Sequence, residues 1–331
     1  MSPRAVLLIG TSIVQCNPEW KELSSIVVQH EYLQGNRAEF IADCNSGKYD
    51  DVIAIIRSND SVNVTGPFDA ELINVLPESV KFICHNGAGY DNIDIPTCTK
   101  KRIDVSSTPG VVNRATADIT IFLMLGALRQ VLTPIAALRA GEWRGETKPG
   151  YDPQGRVLGI LGMGGIGTEV ARRAKAFDMH IIYHNRKRAS PEPEGAEFVT
   201  FDSLLSRSDV LCLNCTLTDD TRHIIGRPEF AQMKNGVVII NTARGAVMDE
   251  EALVEALENK VASAGLDVFE NEPNIRPALR KHPRILPLPH IGTFTQDTQK
   301  KTEQLVLSNL KSCLQEGRLL TQVPEQLNLT R

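Results

Sequence analysis

Two runs of alternating strand and helix signals, joined by one long apolar helical stretch, predict an α/β protein built from parallel sheets covered by helices. A length of 331 residues fits two such domains at about 150 residues each. With 42% hydrophobic and 23% charged residues, each domain can bury a full core without disulfides or metal. The net charge of -4 argues against a broad basic surface for nucleic acid.

In the first run, 5–10, 51–57, 80–85 and 103–107 read as strands, with helices near 19–25, 37–44 and 69–76. From Asn113 to about Ala140 the chain is rich in Ala, Leu and Ile, too apolar for a solvated surface helix. It is expected to be buried between domains or between subunits, with Pro134 kinking or splitting it. Glycines and prolines make 141–155 a surface loop around Trp143. The second run predicts strands at 157–161, 179–183, 210–213, 237–241, 262–267 and 284–286. Its helices are expected at 166–177, 203–207, 228–233 and 250–258, the last with Asp249 as N-cap. A final helix, about 296–316, is expected to return to the first domain.

No apolar run reaches the ~20 residues needed to cross a bilayer. The N-terminal apolar run 5–10 is too short for a signal peptide, and seven scattered cysteines suggest reduced thiols. A cytoplasmic location is therefore expected. Cys212 and Cys215 form a lone Cys-x-x-Cys inside an apolar run, which reads as buried strand thiols rather than a metal site. No metal is expected.

Gly162-Met-Gly164-Gly165-Ile166-Gly167 follows a strand signal and opens an amphipathic helix, the context a dinucleotide requires. Gly162 allows the tight turn, Gly164 lets a pyrophosphate approach, and Gly167 lets helix and strand pack. The helix N-terminus supplies N–H groups for phosphate. About 20 residues on, an acid would bind the adenine ribose; the chain carries Asn185 there, followed by Arg186, Lys187 and Arg188. A carboxylate would repel a 2′-phosphate, whereas Arg186 and Arg188 can bind one as charge-assisted forks. NADP(H) is expected in preference to NAD(H), with NAD(H) still possible.

Three segments place polar residues just after apolar strands: Asn241-Thr-Ala-Arg244-Gly, Gly265-Leu-Asp267 through Glu272-Pro, and Leu288-Pro-His290-Ile-Gly-Thr293. Ligands of open parallel sheets bind at such strand ends. Together with the glycine motif, these segments make the chain resemble the D-isomer-specific 2-hydroxyacid dehydrogenases over nearly its whole length. Within that family it looks most like the fungal-type glyoxylate/hydroxypyruvate reductases. The stretches His85-Asn-Gly-Ala-Gly-Tyr-Asp91, Ala115-Thr-Ala-Asp118, Gly150-Tyr-Asp-Pro153 and Tyr183-His-Asn-Arg186 support this.

The resemblance implies a Rossmann dinucleotide-binding domain (109–293) inserted into a flavodoxin-like substrate domain (1–108 and 294–331), both doubly wound. It makes Arg244 the carboxylate-binding and carbonyl-polarising group, His290 the general acid, and Glu272 the partner that orients His290 and raises its pKa. Glu270 competes for that last role, and the Glu-Pro step favours Glu272. Backbone N–H groups around Asn86, Gly87 and Ala88 would hold the substrate carboxylate. Asp267 would hold the nicotinamide carboxamide, although a strand-end turn former is the plainer reading. Thr116, Cys215, Thr221, Thr242, Ala243 and Gly292 are the remaining implied cofactor contacts.

The chain departs from the family pattern at Thr216, where a proline is usual, and at the missing acid near Asn185. The implied activity is NADPH-dependent reduction of glyoxylate or hydroxypyruvate to the D-2-hydroxy acid. Rivals are a reductase for aryl or branched-chain 2-keto acids and a dinucleotide-sensing, corepressor-like binding protein. A homodimer with a small-molecule substrate, and neither a nucleic acid nor a membrane, is expected.

Overall fold

The computed structural model describes residues 4–327. The chain divides into two compact units, Met1–Val112 with Thr295–Arg331, and Asn113–Phe294. The expected boundaries at 108 and 293 thus fall at 112 and 294, where the long apolar helix begins and the loop after the last strand ends.

The first unit holds a five-stranded parallel sheet of β1 (Ala5–Ile9), β2 (Val28–Tyr32), β3 (Val52–Ser58), β4 (Phe82–Asn86) and β5 (Asp104–Ser106), ordered β2-β1-β3-β4-β5. That is the flavodoxin-like winding. Apolar side chains on both faces of β1 and β3 build separate cores. Leu7, Ile55, Phe40 and Leu72 fill one, and Val6, Ile56, Trp20 and Leu310 the other. Leu310 comes from helix Gln296–Glu316, so the C-terminal helix covers this sheet as expected.

The second unit holds seven parallel strands: β6 (Val157–Leu161), β7 (His180–His184), β8 (Ala196–Phe198), β9 (Val210–Leu213), β10 (Val237–Asn241), β11 (Val261–Leu266) and β12 (Ile285–Pro287). Their order, β12-β11-β10-β9-β6-β7-β8, is the Rossmann winding extended by one strand. Order reverses between β6 and β9, so the turn after β6 lies at the switch point where such sheets bind ligands.

Two strands escape sequence reading. β2 (VQHEY) and β8 (AEF) are edge strands with partly exposed side chains, so neither shows an apolar run. The long apolar stretch is split, as expected. It forms two helices, Asn113–Leu128 and Leu132–Arg139, bent by 73°. The break precedes Pro134, which sits in the first turn of the second helix, where its missing N–H costs no hydrogen bond. Gln130 turns the chain at φ 47. Helix Asn113–Leu128 packs on its own unit's sheet: Leu123 lies so near Gly265 that an added Cβ would come within 2.8 Å of its Cβ. Its apolarity is therefore used inside the unit, with Phe122 left exposed. Among the described residues, no single helix is long and apolar enough to cross a membrane.

Candidate active site

Close approaches build the glycine turn. Gly162 follows β6 with φ 102, a conformation that side chains rarely adopt. A Cβ there would stand 2.5 Å from the Cys215 backbone nitrogen, and one at Gly167 would collide with the Gly162 carbonyl. At Gly164, the N-cap of helix Gly165–Ala174, nothing lies within 4 Å of an added Cβ. Packing therefore demands the outer two glycines, while the middle one leaves the helix N-terminus open to a phosphate. Gly165 abuts Asn113, and Ile166 packs into the core beneath.

At the end of β7, Asn185 Oδ1 accepts the Met163 N–H at 2.6 Å, tying this strand end to the glycine turn. Arg188 Nε donates to Glu192 at 3.1 Å, and its guanidinium lies 5.7 Å from the Phe198 ring centre. Arg186 and Lys187 are exposed. A cavity of about 430 Å³ opens beside the turn, lined by Asn113, Met163, Gly165, Glu169, Ser190 and Pro191. His184 stacks on Phe198 and bonds the Val199 carbonyl at 2.8 Å, a packing role. Burial pushes the Cys215 thiol up to about 11. Thr221 closes its own loop by donating to the Thr216 carbonyl at 2.7 Å.

The carboxyl ends of β10, β11 and β12 carry the polar cluster. Asn241 staples the turn after β10: its Oδ1 accepts from Ala243 N–H at 3.0 Å, and its Nδ2 donates to the Arg244 carbonyl at 2.9 Å. Gly245 is demanded next, because a Cβ would collide with the Phe269–Glu270 backbone. Arg244 is half-buried and donates from Nη1 to the Ala243 carbonyl at 2.8 Å. Thr242 Oγ1 lies 2.8 Å from Thr120 Oγ1 and accepts from Asn214 at 3.3 Å. Sequence reading missed Thr120 and Asn214, since neither belongs to a recognisable motif.

Asp267, buried after β11, accepts the Ile291 and Gly292 N–H groups at 2.8 and 2.7 Å. Its carbonyl accepts the His290 N–H at 2.8 Å. Both carboxylate oxygens thus hold the loop that presents His290, a role the sequence does not reveal. Burial pushes this carboxyl above its ordinary range, partly opposed by the two N–H bonds. Gly292 lets the loop lie against Asp267 and Thr116.

His290 adopts φ 55, a left-handed backbone that a non-glycine residue seldom takes. Its Nδ1 lies 2.7 Å from Glu272 Oε2, while Glu272 Oε1 accepts the Phe269 N–H at 2.7 Å. Burial pushes His290 down, but the bond to Glu272 and its charge outweigh burial, and the net shift is upward. Burial pushes Glu272 up, yet the His290 bond and charge leave it below its ordinary value. Glu270 faces elsewhere, in a short contact with His223 Nε2, so Glu272 is the acid that meets His290. Glu250, another residue sequence reading missed, is buried and accepts the Glu270 N–H at 2.8 Å.

In the first unit, β4 ends at Asn86 and the chain turns through Gly87 and Ala88, all half-buried. Gly87 lies directly on the His85 ring, whose Nε2 is 3.0 Å from the Gly89 carbonyl.

The profile of the D-isomer specific 2-hydroxyacid dehydrogenase NAD-binding domain matches residues 121–292. The chain belongs to this family. It is 61% identical over 327 residues to 4-methyl-2-oxopentanoate reductase A of Aspergillus oryzae, covering 98% of this chain and 99% of that one. The crystal structure of a glyoxylate reductase from Paecilomyes thermophila superposes with a TM-score of 0.95 at 62% identity, covering 98% of this chain and 100% of that one. An NADPH-dependent glyoxylate/hydroxypyruvate reductase of Sinorhizobium meliloti, solved with NADP and malonate, gives 0.86 at 31% identity, covering 100% and 99%. Family membership makes the chain an oxidoreductase of the 2-hydroxyacid dehydrogenase class with an NAD-binding Rossmann domain.

Proposed function

We propose that the chain is an NADPH-preferring reductase that converts small 2-keto acids, glyoxylate and hydroxypyruvate, to D-2-hydroxy acids. The observation that carries this reading is the His290–Glu272 pair at 2.7 Å, after β12 and β11, the two strands that follow Arg244-bearing β10 toward the edge of the sheet. Reduced nicotinamide, when bound, supplies the hydride to C2. Glu272 keeps a proton on His290, which delivers it from Nε2 to the carbonyl oxygen as that oxygen gains charge. Arg244 offers a permanent charge to the carboxylate and the same oxygen. The loop at Asn86, Gly87 and Ala88 contributes backbone N–H donors to the carboxylate. Gly162, Gly164, Gly165, Ile166 and Gly167 hold the pyrophosphate, and Thr116, Thr242, Ala243, Asp267 and Gly292 serve the nicotinamide side.

NADPH preference rests on the missing carboxylate at Asn185 and on the exposed Arg186 that follows it directly. Asn185→Asp is expected to move the NADPH-to-NADH ratio of kcat/KM toward NADH by about tenfold. An unmoved ratio rejects the assignment. A second substrate reading is favoured by the Aspergillus relative, whose name specifies the branched 4-methyl-2-oxopentanoate. Initial rates with glyoxylate, hydroxypyruvate, 4-methyl-2-oxopentanoate and phenylglyoxylate, each with NADPH and NADH, decide between them. Dominant turnover of the branched acid moves the function to the second reading, and no turnover with any pair overturns both. We also propose a homodimer, because Ile135, Leu138 and Trp143 expose apolar surface in one sequence neighbourhood. Light scattering that reports a monomer rejects it.

A further inference from the structure

β3 and β4 of the first unit lie side by side with Arg57 opposite His85. Arg57 is fully buried. Its Nε donates to Ser61 Oγ at 2.9 Å and its Nη1 to Asn92 Oδ1 at 2.6 Å, while Nη2 has no partner. The guanidinium sits 4.9 Å from the Phe68 ring centre. Among the described residues, no carboxylate forms an ion pair with it. Asp91 and Asp60, both exposed, act on it only through space. Burial pushes its pKa down to about 9, opposed by these two acids, which leaves it charged at neutral pH.

Burying a cation without an anion is among the costliest arrangements a core can hold. Packing alone would be served as well by a methionine at this position. What lies above the charge gives a reason to keep it. Arg57 Nη1 is 3.3 Å from His85 Nδ1. A guanidinium can only donate, so Nδ1 accepts, and the proton of the neutral ring sits on Nε2, facing the Gly89 carbonyl at 3.0 Å. Gly87 rests on that same nitrogen so closely that a Cβ would come within 2.5 Å of it. The Asn86–Ala88 turn is therefore one imidazole away from an uncompensated buried charge.

We infer that Arg57 is an electrostatic positioning residue whose buried charge, beneath His85, sets the affinity of the Asn86–Ala88 turn for the carboxylate of a 2-oxo acid. The inference rests on the anion-binding role proposed above for that turn. In a poorly screened interior, such a charge acts across one ring without touching the substrate.

The test compares the unaltered protein with Arg57→Met, Arg57→Lys and Asn92→Asp, using the 2-oxo acid it turns over best. The readouts are KM, kcat, NADPH affinity by fluorescence, and melting temperature. Arg57→Met is expected to raise KM for the 2-oxo acid about tenfold. Its kcat and NADPH affinity should hold, with melting temperature unchanged or higher. Arg57→Lys should keep KM near that of the unaltered protein. Asn92→Asp sets a carboxylate of the same shape against Nη1 and should raise KM as the methionine does. A folded Arg57→Met with unmoved KM overturns the inference, as does a joint fall of kcat and melting temperature in the methionine and lysine variants alike. If Arg57→Met fails to fold, an unmoved KM in Asn92→Asp overturns it. Absence of turnover by the unaltered protein overturns the proposed function and this inference together, whereas turnover with an insensitive KM overturns this inference alone.

Discussion

The second unit carries two histidine–glutamate pairs built from the same parts. His290 and His223 both adopt left-handed backbones, φ 55 and 52, and their partners Glu272 and Glu270 stand two residues apart on one loop. They differ in which ring nitrogen meets the acid. His290 gives Glu272 its Nδ1, the nitrogen near the backbone, and so keeps the outer Nε2 for a ligand. His223 gives its outer Nε2 to Glu270. The surroundings differ as well. Arg244 and Asp267 act electrostatically on His290, and Asp267 holds its loop by two N–H bonds. His223 is tied by its backbone N–H to the Ala246 carbonyl, just past Arg244, which makes it a brace for that turn. Equal chemistry thus leaves either the outer or the inner ring nitrogen available, and only the first arrangement suits the proton donor proposed for His290.

Substitutions can break this contrast. The largest effect is expected from His290→Ala: kcat for 2-keto acid reduction should fall by about a hundredfold to ten-thousandfold, with NADPH affinity intact. Stopped-flow turnover alongside a cofactor titration measures both, and retained turnover would remove His290 from the chemistry. Glu272→Gln should be milder and should show its cause in pH. With His290 as the proposed proton donor, reduction would need it protonated, and Glu272 holds its pKa above the ordinary 6.5. In the unaltered protein, the reduction rate should therefore fall only as pH rises through a value above 6.5. In Glu272→Gln that limb should move to lower pH, costing up to about tenfold for each unit of displacement once the limb lies below the working pH. A pH–rate profile with an unmoved limb rejects the coupling. The same pair contributes stability with two limits. The raised histidine's share is lost as pH rises through its folded value, and the lowered carboxyl's share as pH falls through its own. The smallest effect belongs to His223→Gln, no more than about fivefold in kcat/KM and with no change in pH limb, because a partly exposed pair adds little. A loss comparable to that of His290→Ala would erase the distinction.

Much of this was legible in the sequence. Buried parallel strands announce themselves as apolar runs, so β1, β3, β6, β9 and β10 read directly, whereas the edge strands β2 and β8 do not. Motif residues such as Gly162, Arg244, Glu272 and His290 stand in short contexts whose chemistry is local, and Asp249 caps its helix from sequence logic alone.

What only the tertiary structure decided are relations between distant segments. The Glu-Pro step already favours Glu272, but how its loop is held is tertiary: the Glu270 N–H bonds to Glu250 and the Phe269 N–H to Glu272 itself. Asp267 holds the His290 loop across 25 residues to Gly292, and Arg57 lies unpaired beneath His85, 28 residues away. Periodicity and motif spacing report which residues are apolar and which turns are tight, since both are set by neighbours along the chain. Hydrogen-bond partners, desolvation and the fate of a buried charge depend on groups brought together from separate strands, and these the packed chain alone determines.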